Sequence, residues 1–502
     1  MRRVTKRARS ANNLLFSLIY QIVTIAMGLI LPRIVLIGFG SEVNGLLNSI
    51  TQAIAYMALF EAGIQSVATK SLYSTIANAD QDATNRVLSA VHGNYKRIGV
   101  LYCAGLIVLS ALYPVFVETE TVSYIEVFLI VLFSGMGNVI AFFKQGKYRI
   151  LLIADGREYI ITNLNTIISV ATNVVKIVLL TLHVQVYVVI IMTFLVSLVQ
   201  VIFIERYMKK QYTWINLKAE PDYGALKQSK HALIHQVSGL VFSNTDMIIL
   251  TVFCDLKVVS IYAIYKLIVG HIASFIAMPF NSCSFILGQT FNLDRDRYIK
   301  LFDGVQVAFN VLLFSILTAA YALLPSFISL YTAGVTDAVY SDKYLPILFV
   351  AAEVLNLMRV PTRHTVNCAG HFQETVSRTL TETAINLVCS IVGVYVWGIY
   401  GVLLGTIAAL LYRTIDFAVY SNRNILMRKA SKNLVLYGLN TGTFLVAVLI
   451  FNKMSIDISS YAQFAGVGFV VTIPCILLYT LINLSVFRKD FANLIAVLRK
   501  SN

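Results

Sequence analysis

Charged residues are scarce in this chain. Only 13% of its 502 residues are Asp, Glu, Lys or Arg, while 58% are hydrophobic and the mean hydropathy is +0.75. That balance excludes a soluble globular protein of this length. Long loops are missing as well. The longest on one side, around Thr332 to Lys343, has about a dozen residues, too few to build the catalytic site of a membrane polymerase or ligase. The six cysteines are scattered through apolar stretches without paired spacing, which excludes a disulfide framework and a thiolate metal site. No nucleotide-binding P-loop is present, so any transport is expected to draw on an ion gradient, the membrane potential or a substrate gradient. His231 and His235 stand four apart on one helical face, but Ala232, Leu233 and Ile234 between them form no metal-binding HExxH pattern, and no metal or cofactor is assigned.

What fills the chain instead is a series of about fourteen apolar segments. They run over 14–38, 44–69, 96–117, 122–143, 158–182, 184–204, 231–254, 259–287, 303–331, 344–367, 376–398, 400–421, 433–452 and 461–487. A helix of about 20 apolar residues spans the roughly 30 Å hydrocarbon core, and only helices satisfy every backbone group there. The run from Leu14 to Ile37 is too long for the core of a signal peptide and reads as the first span. Outside the spans, Lys and Arg fall on alternate sides. With a cytoplasmic N-terminus, only Lys257, Lys343 and Lys453 face out. Basic residues flanking spans stay on the cytoplasmic side, so both termini are expected there, with basic tails at 1–13 and 488–502. The net charge of +15 therefore lies along the cytoplasmic rim, opposite anionic lipid, and does not imply nucleic acid.

An internal repeat divides the chain. Leu18-Ile19-Tyr20-Gln21 lines up with Leu233-Ile234-His235-Gln236, about 215 residues on, and the register persists through Ile34 with Ile249, Val43 with Val258 and Ala154-Asp155-Gly156 with Cys368-Ala369-Gly370. The expected architecture is an all-α polytopic membrane protein. An N-lobe (14–204), a cytoplasmic linker (205–230) and a C-lobe (231–421) form two six-helix lobes in pseudo-twofold repeat, followed by two helices over 433–487. Amides such as Asn48, Asn138, Asn173, Asn244, Asn310, Asn356 and Asn386 are spread over the first twelve spans and sparse in the last two. A lipid-facing helix has no use for them, so twelve helices are expected around a wet interior, with the last two packed outside.

Basic residues inside the spans carry the functional signal. Arg33, Lys176, Lys266, Arg359, Arg363 and Arg413 each cost roughly 2.5–3.5 kcal/mol at mid-bilayer, so a partner or a water-filled cavity is required. They are the candidates for a cationic, substrate-binding cavity. Arg33, Lys176 and Arg363 lie near helix ends and are also placed to snorkel, and Arg413 stands three residues before Asp416, so an ion pair on one face is the alternative there. Lys266 and Arg359 have no carboxylate three or four residues away. Among embedded acids, Glu382 follows Arg378 by four residues and is expected to pair with it, whereas Asp246 and Glu353 are candidates for coupling to an ion, H+ or Na+. Gly401-x-x-x-Gly405 and Gly438-x-x-x-Gly442 allow close helix packing.

The stretch Gly45-Leu46-Leu47-Asn48-Ser49-Ile50, then Tyr56, Leu59-Phe60-Glu61-Ala62-Gly63-Ile64, Ser71-Leu72-Tyr73 and Asp80 resembles the second-helix signature of bacterial polysaccharide flippases of the multidrug/oligosaccharidyl-lipid/polysaccharide exporter superfamily. Gly370, Phe372, Thr375, Asn386, Gly398, Gly401, Gly405 and Thr406 resemble that family's eleventh and twelfth helices. Asn48, Glu61, Gly63, Tyr73 and Asn386 are the motif positions carried over. The resemblance covers most of the chain. It implies a non-enzymatic flippase in the bacterial cytoplasmic membrane that moves an undecaprenyl-pyrophosphate-linked oligosaccharide to the outer leaflet by alternating access, for cell-surface polysaccharide synthesis. Its implied partners are that lipid-linked substrate, membrane lipids and polysaccharide polymerase or assembly proteins. A multidrug or organic-cation exporter of the same superfamily is the near alternative.

Overall fold

The computed structural model describes residues 6–61, 64–226, 230–454, 456 and 458–500. Gly63 and the extreme ends of both tails lie outside them. Every element among the described residues is helical. The α-helices are α1 (Lys6–Met57), α2 (Ile64–Ala77), α3 (Gln81–Phe116), α4 (Tyr124–Lys144), α5 (Gly146–Ala154), α6 (Glu158–Thr181), α7 (Val186–Gln211), α8 (Lys230–Phe253), α9 (Leu256–Leu293), α10 (Arg295–Tyr331), α11 (Leu345–Met358), α12 (Val360–Ala369), α13 (Phe372–Trp397), α14 (Ile399–Tyr420), α15 (Ser431–Phe451) and α16 (Tyr461–Lys500).

Among the described residues, 13 helical stretches are long and apolar enough to cross a membrane. The first, Thr24–Glu61, joins most of the first expected span to most of the second. Gly40 interrupts it with φ 85° and ψ 175°, a conformation that only glycine adopts without strain. Leu31 and Thr51 line one cavity, although a straight helix would set them about 30 Å apart. The chain therefore doubles back at Gly40, and the two spans are an antiparallel pair.

Helix ends follow their local chemistry. Asp80 accepts the Ala83 N–H at 2.9 Å and starts α3, and Asp294 accepts the Arg297 N–H at 2.9 Å and starts α10. The Glu126 carboxylate accepts the Ser123 N–H at 2.9 Å, which makes Glu126 a cap at the start of α4. Gly370 ends α12 in the left-handed region at φ 70°.

Contacts gather the chain into two compact units, Met1–Ser260 and Ile261–Asn502, and the boundary falls inside α9. The repeat places α8 with the later helices, yet α8 and the first turn of α9 pack against α1 in the first unit. Ser49 Oγ meets Thr251 Oγ1 at 2.6 Å, the Asn44 amide donates to Ser260 Oγ at 2.7 Å, and Tyr56 Oη meets Thr245 Oγ1 at 2.5 Å. A methyl group on Gly45 would lie 1.9 Å from the Leu256 carbonyl oxygen, so the two backbones touch there. The linker is bound to the first unit over much of its length. Asn85 donates to the Trp214 carbonyl at 3.2 Å and accepts the Asn216 N–H at 2.9 Å, and Ser71 donates to the Ala225 carbonyl at 2.6 Å.

In the second unit α10 is the most buried of the apolar helices, and α11, α15 and α16 pack on it. The last two helices carry more polar function than their composition suggested. Asn440 and Asn483, both wholly buried, exchange amide hydrogen bonds of 3.1 and 2.8 Å, and Tyr479 Oη meets Thr318 Oγ1 of α10 at 2.8 Å. Few amides suffice when each pairs with another inside the bundle. The far side of α16 is apolar and exposed at Phe469, Val470 and Leu481, as a lipid-facing surface must be.

Candidate functional site

In the first unit, α1, α4, α6 and α7 enclose a cavity of about 470 Å3. Its apolar wall includes Leu31, Pro32, Leu47 and the pair Phe133 and Phe194, whose rings lie 5.4 Å apart. Its polar lining comprises Asn44, Asn48, Thr51, Ser134, Asn138, Thr172, Lys176, Thr193 and Ser197. Helical periodicity produces this surface: Asn44, Asn48 and Thr51 recur at three- and four-residue spacing on one face of α1, and Thr172 and Lys176 do so on α6. The hydroxyl hydrogens are turned back into their own helices. Thr51 donates to the Leu47 carbonyl at 2.8 Å, Thr172 to Ile168 at 2.8 Å, Thr193 to Ile190 at 2.9 Å and Ser197 to Phe194 at 2.6 Å. Their oxygens are left as acceptors. Lys176 is the only charged residue among the described lining residues, and among the described residues no carboxylate pairs with it. The cavity thus presents one ammonium, a set of acceptor oxygens and the amides of Asn44, Asn48 and Asn138. All three amides are oriented by neighbours: Asn44 donates to Ser260 Oγ at 2.7 Å, Asn48 to the Asn44 carbonyl at 2.8 Å and Asn138 to Tyr102 Oη at 3.0 Å.

The second unit holds a different arrangement. Glu353 accepts from the Asn356 amide at 2.8 Å, and Asn356 Oδ1 accepts from Arg359 Nη2 at 3.0 Å. Arg359 pairs directly with Glu382 Oε1, whose other oxygen lies 3.3 Å from Arg413 Nε. Arg413 Nη1 meets Asp416 Oδ2 at 2.5 Å, and Asp416 Oδ1 pairs with Arg378. Carboxylates and guanidiniums thus alternate from Glu353 on α11 through α13 and α14. Three acids and three bases share the chain. Arg359, Glu382, Arg413 and Asp416 are all buried. Arg413 Nη2 also donates to Thr379 Oγ1 at 3.0 Å, and its guanidinium lies 3.8 Å from the centre of the Phe417 ring.

Helical spacing alone assigned Glu382 to Arg378. The structure gives Glu382 to Arg359 and Arg413, and Arg378 to Asp416. The reason is tertiary: α14 presents both Arg413 and Asp416 to α13, and this exchange satisfies four groups where the local pair would satisfy two.

Lys266 lies within electrostatic reach of Glu353, and Arg363 within reach of Arg359, Glu382 and Arg413. Arg33 is half-buried on α1 and does not line the cavity, Lys266 sits with its ammonium 5.6 Å from the Tyr262 ring centre, and Arg363 is exposed on α12. Asp246 is buried on α8 in the first unit. Of the motif positions, Asn48 lines the cavity. Glu61 accepts the buried Tyr95 hydroxyl at 2.5 Å, Asn386 donates to Thr406 at 2.9 Å in a dry contact between α13 and α14, and Tyr73 is exposed. Sequence reasoning missed Asn44, Ser134 and Thr193 as lining groups and Glu382 as the centre of the ion chain, because nothing in one strand of sequence says which helix each will face.

No described family and no curated relative matches the chain. Its fold is similar to several solved structures. "Lipid II flippase MurJ, inward closed conformation" superposes with a TM-score of 0.64 at 13% identity, over 94% of this chain and 99% of that one. A multidrug resistance MATE family transporter of the MOP superfamily superposes in its inward-facing conformation with a TM-score of 0.58 at 14% identity, over 81% of this chain and 94% of that one. A multidrug resistance MATE family transporter in the outward-facing conformation gives 0.54 at 15% identity, over 84% of this chain and 96% of that one. At such identities the likeness is one of fold.

Proposed function

We propose that the chain is a flippase that carries an undecaprenyl-pyrophosphate-linked oligosaccharide from the cytoplasmic to the outer leaflet of a bacterial cytoplasmic membrane, by alternating access and with both termini cytoplasmic. The observation that carries this reading is the cavity around Lys176 in the first unit, with one ammonium, many acceptor oxygens and no carboxylate among its described lining residues. A diphosphate head group offers the anion that Lys176 needs, and sugar hydroxyls offer the donors that Thr51, Thr172, Thr193 and Ser197 can accept. The fold it shares with a lipid II flippase supports the same reading. Since Arg359 and Arg413 are engaged by Glu382 and Asp416, substrate charge falls first to Lys176, with Arg33, Lys266 and Arg363 as further proposed contacts. Asp246 and Glu353 are the proposed sites of ion coupling, with H+ or Na+ as the ion. Polymerase and assembly proteins are the proposed partners downstream.

The second reading is an organic-cation exporter, favoured by the fold shared with MATE transporters. It calls for a carboxylate facing the substrate; none of the described residues lining the Lys176 cavity supplies one, whereas Glu42, Glu118, Glu120 and Asp255 line a second cavity of the same unit. A reconstitution assay separates the two. Proteoliposomes holding the purified chain are loaded with a fluorescent undecaprenyl-pyrophosphate oligosaccharide, and outer-leaflet arrival is scored by an impermeant lectin or quencher. Flipping should fall at least tenfold in Lys176→Gln and partly return in Lys176→Arg. Absence of flipping by wild type, with efflux of ethidium that Lys176→Gln leaves intact, overturns the flippase reading in favour of the exporter.

A further inference from the structure

One membrane span in the second unit is broken. It runs as α11 to Met358 and as α12 from Val360, with Arg359 between them at φ −76° and ψ −12°. Its local cause is Pro361 in the first turn of α12, which has no N–H to return to the Leu357 carbonyl and whose ring crowds the preceding turn. The Arg359 N–H turns to the Leu357 carbonyl, not to that of Leu355 as an unbroken helix requires. In a buried, water-poor setting the released carbonyls need other donors. Two neighbouring helices supply them. Thr414 of α14 donates to the Leu355 carbonyl at 2.9 Å, and Tyr437 of α15 donates to the Met358 carbonyl at 2.8 Å. Tyr437 in turn accepts from the Gln306 amide of α10 at 3.1 Å. All of these side chains are buried.

The residue exposed by this break to lateral partners is Arg359, and Thr414 sits next to Arg413 in the chain that holds it. We propose that Thr414 and Tyr437 are positioning residues. By capping the Leu355 and Met358 carbonyls they hold the span bent at Arg359, and the bend delivers the Arg359 guanidinium to Glu382. The hydroxyls compete with straightening of the span. Remove a hydroxyl, and the bent form loses a hydrogen bond that the straight form does not need. This gives α15 a task beyond covering the bundle: through Tyr437 it sets the shape of a helix that carries part of the ion chain. The inference is independent of which substrate the protein moves.

The test is a distance measurement on the full chain in nanodiscs. Spin labels replace Tyr344 and Phe372, both exposed and flanking the broken span, on a background without native cysteines. Wild type should give one short distance. Tyr437→Phe and Thr414→Val should each add a longer population, since a straight run from Tyr344 to Ala369 would span about 38 Å. Thr414→Ser keeps the hydroxyl and should restore the wild-type trace. Gln306→Leu removes a partner of Tyr437 but leaves its donation to Met358 in place, and should also match wild type. Wild-type distances in both Tyr437→Phe and Thr414→Val overturn the proposal. So does a longer population in Gln306→Leu, since that would mark general loosening and not lost capping. Thr414→Val stands in if Tyr437→Phe does not fold.

Discussion

Replacing Glu382 by Gln should unfold the second unit more readily than any other neutral exchange on α13. Gln keeps the volume of Glu, so packing is conserved and only charge is lost. Glu382 is 7% exposed and serves two guanidiniums at once, Arg359 through one oxygen and Arg413 Nε at 3.3 Å through the other. In the variant those two cations stay buried with Asp416 and Glu353 as the remaining acids, and the chain has lost one negative charge. Breaking a buried pair by removing one partner costs about 3–5 kcal/mol, because the abandoned charge keeps its desolvation penalty. For a cooperative unit of this size that corresponds to a fall in melting temperature on the order of 10 °C. The assay is thermal: detergent-solubilised protein is heated, and the monodisperse fraction is followed by size-exclusion chromatography. Glu374→Gln is the control, since Glu374 lies exposed on the first turn of the same helix and should change stability by less than about 0.5 kcal/mol. If Glu382→Gln melts within about 2 °C of wild type, the ion chain is solvated and contributes little.

Two further outcomes follow from packing. Gly401→Ala should be strongly destabilising, because a methyl group there would stand 2.0 Å from the Gly393 carbonyl oxygen and force α13 and α14 apart, whereas Gly438→Ala meets nothing within 4 Å and should gain up to about 1 kcal/mol from helix propensity; the same melting assay ranks them. Asn440→Leu should cost about 1–3 kcal/mol by stranding the buried Asn483 amide, and Asn440→Leu with Asn483→Leu should recover part of that, with a coupling energy of about 0.6–1.7 kcal/mol in a double-mutant cycle.

Much of this protein can be read along one strand of sequence. Apolar runs of spanning length, broken by loops too short to fold, leave a helical membrane bundle as the one way to satisfy the backbone. The alternation of Lys and Arg assigns an expected side to each loop, and the isolated bases within spans announce that something must meet their charge. These are properties of segments, set by composition and length. Which groups meet is not. Arg378 and Glu382 stand four apart and look like a pair, yet each finds its partner elsewhere because α14 brings Arg413 and Asp416 to the same face. Gly401-x-x-x-Gly405 and Gly438-x-x-x-Gly442 are equal as patterns, but only the first touches another backbone. Lys176 looked no different from Arg33, and only the tertiary structure sets Lys176 into a cavity of acceptor oxygens. The physical reason is common to all three. Period and hydropathy decide that a residue is on a helix and at what depth, while the rotation and neighbours of that helix, which decide its partner, come from packing against segments far away in the chain.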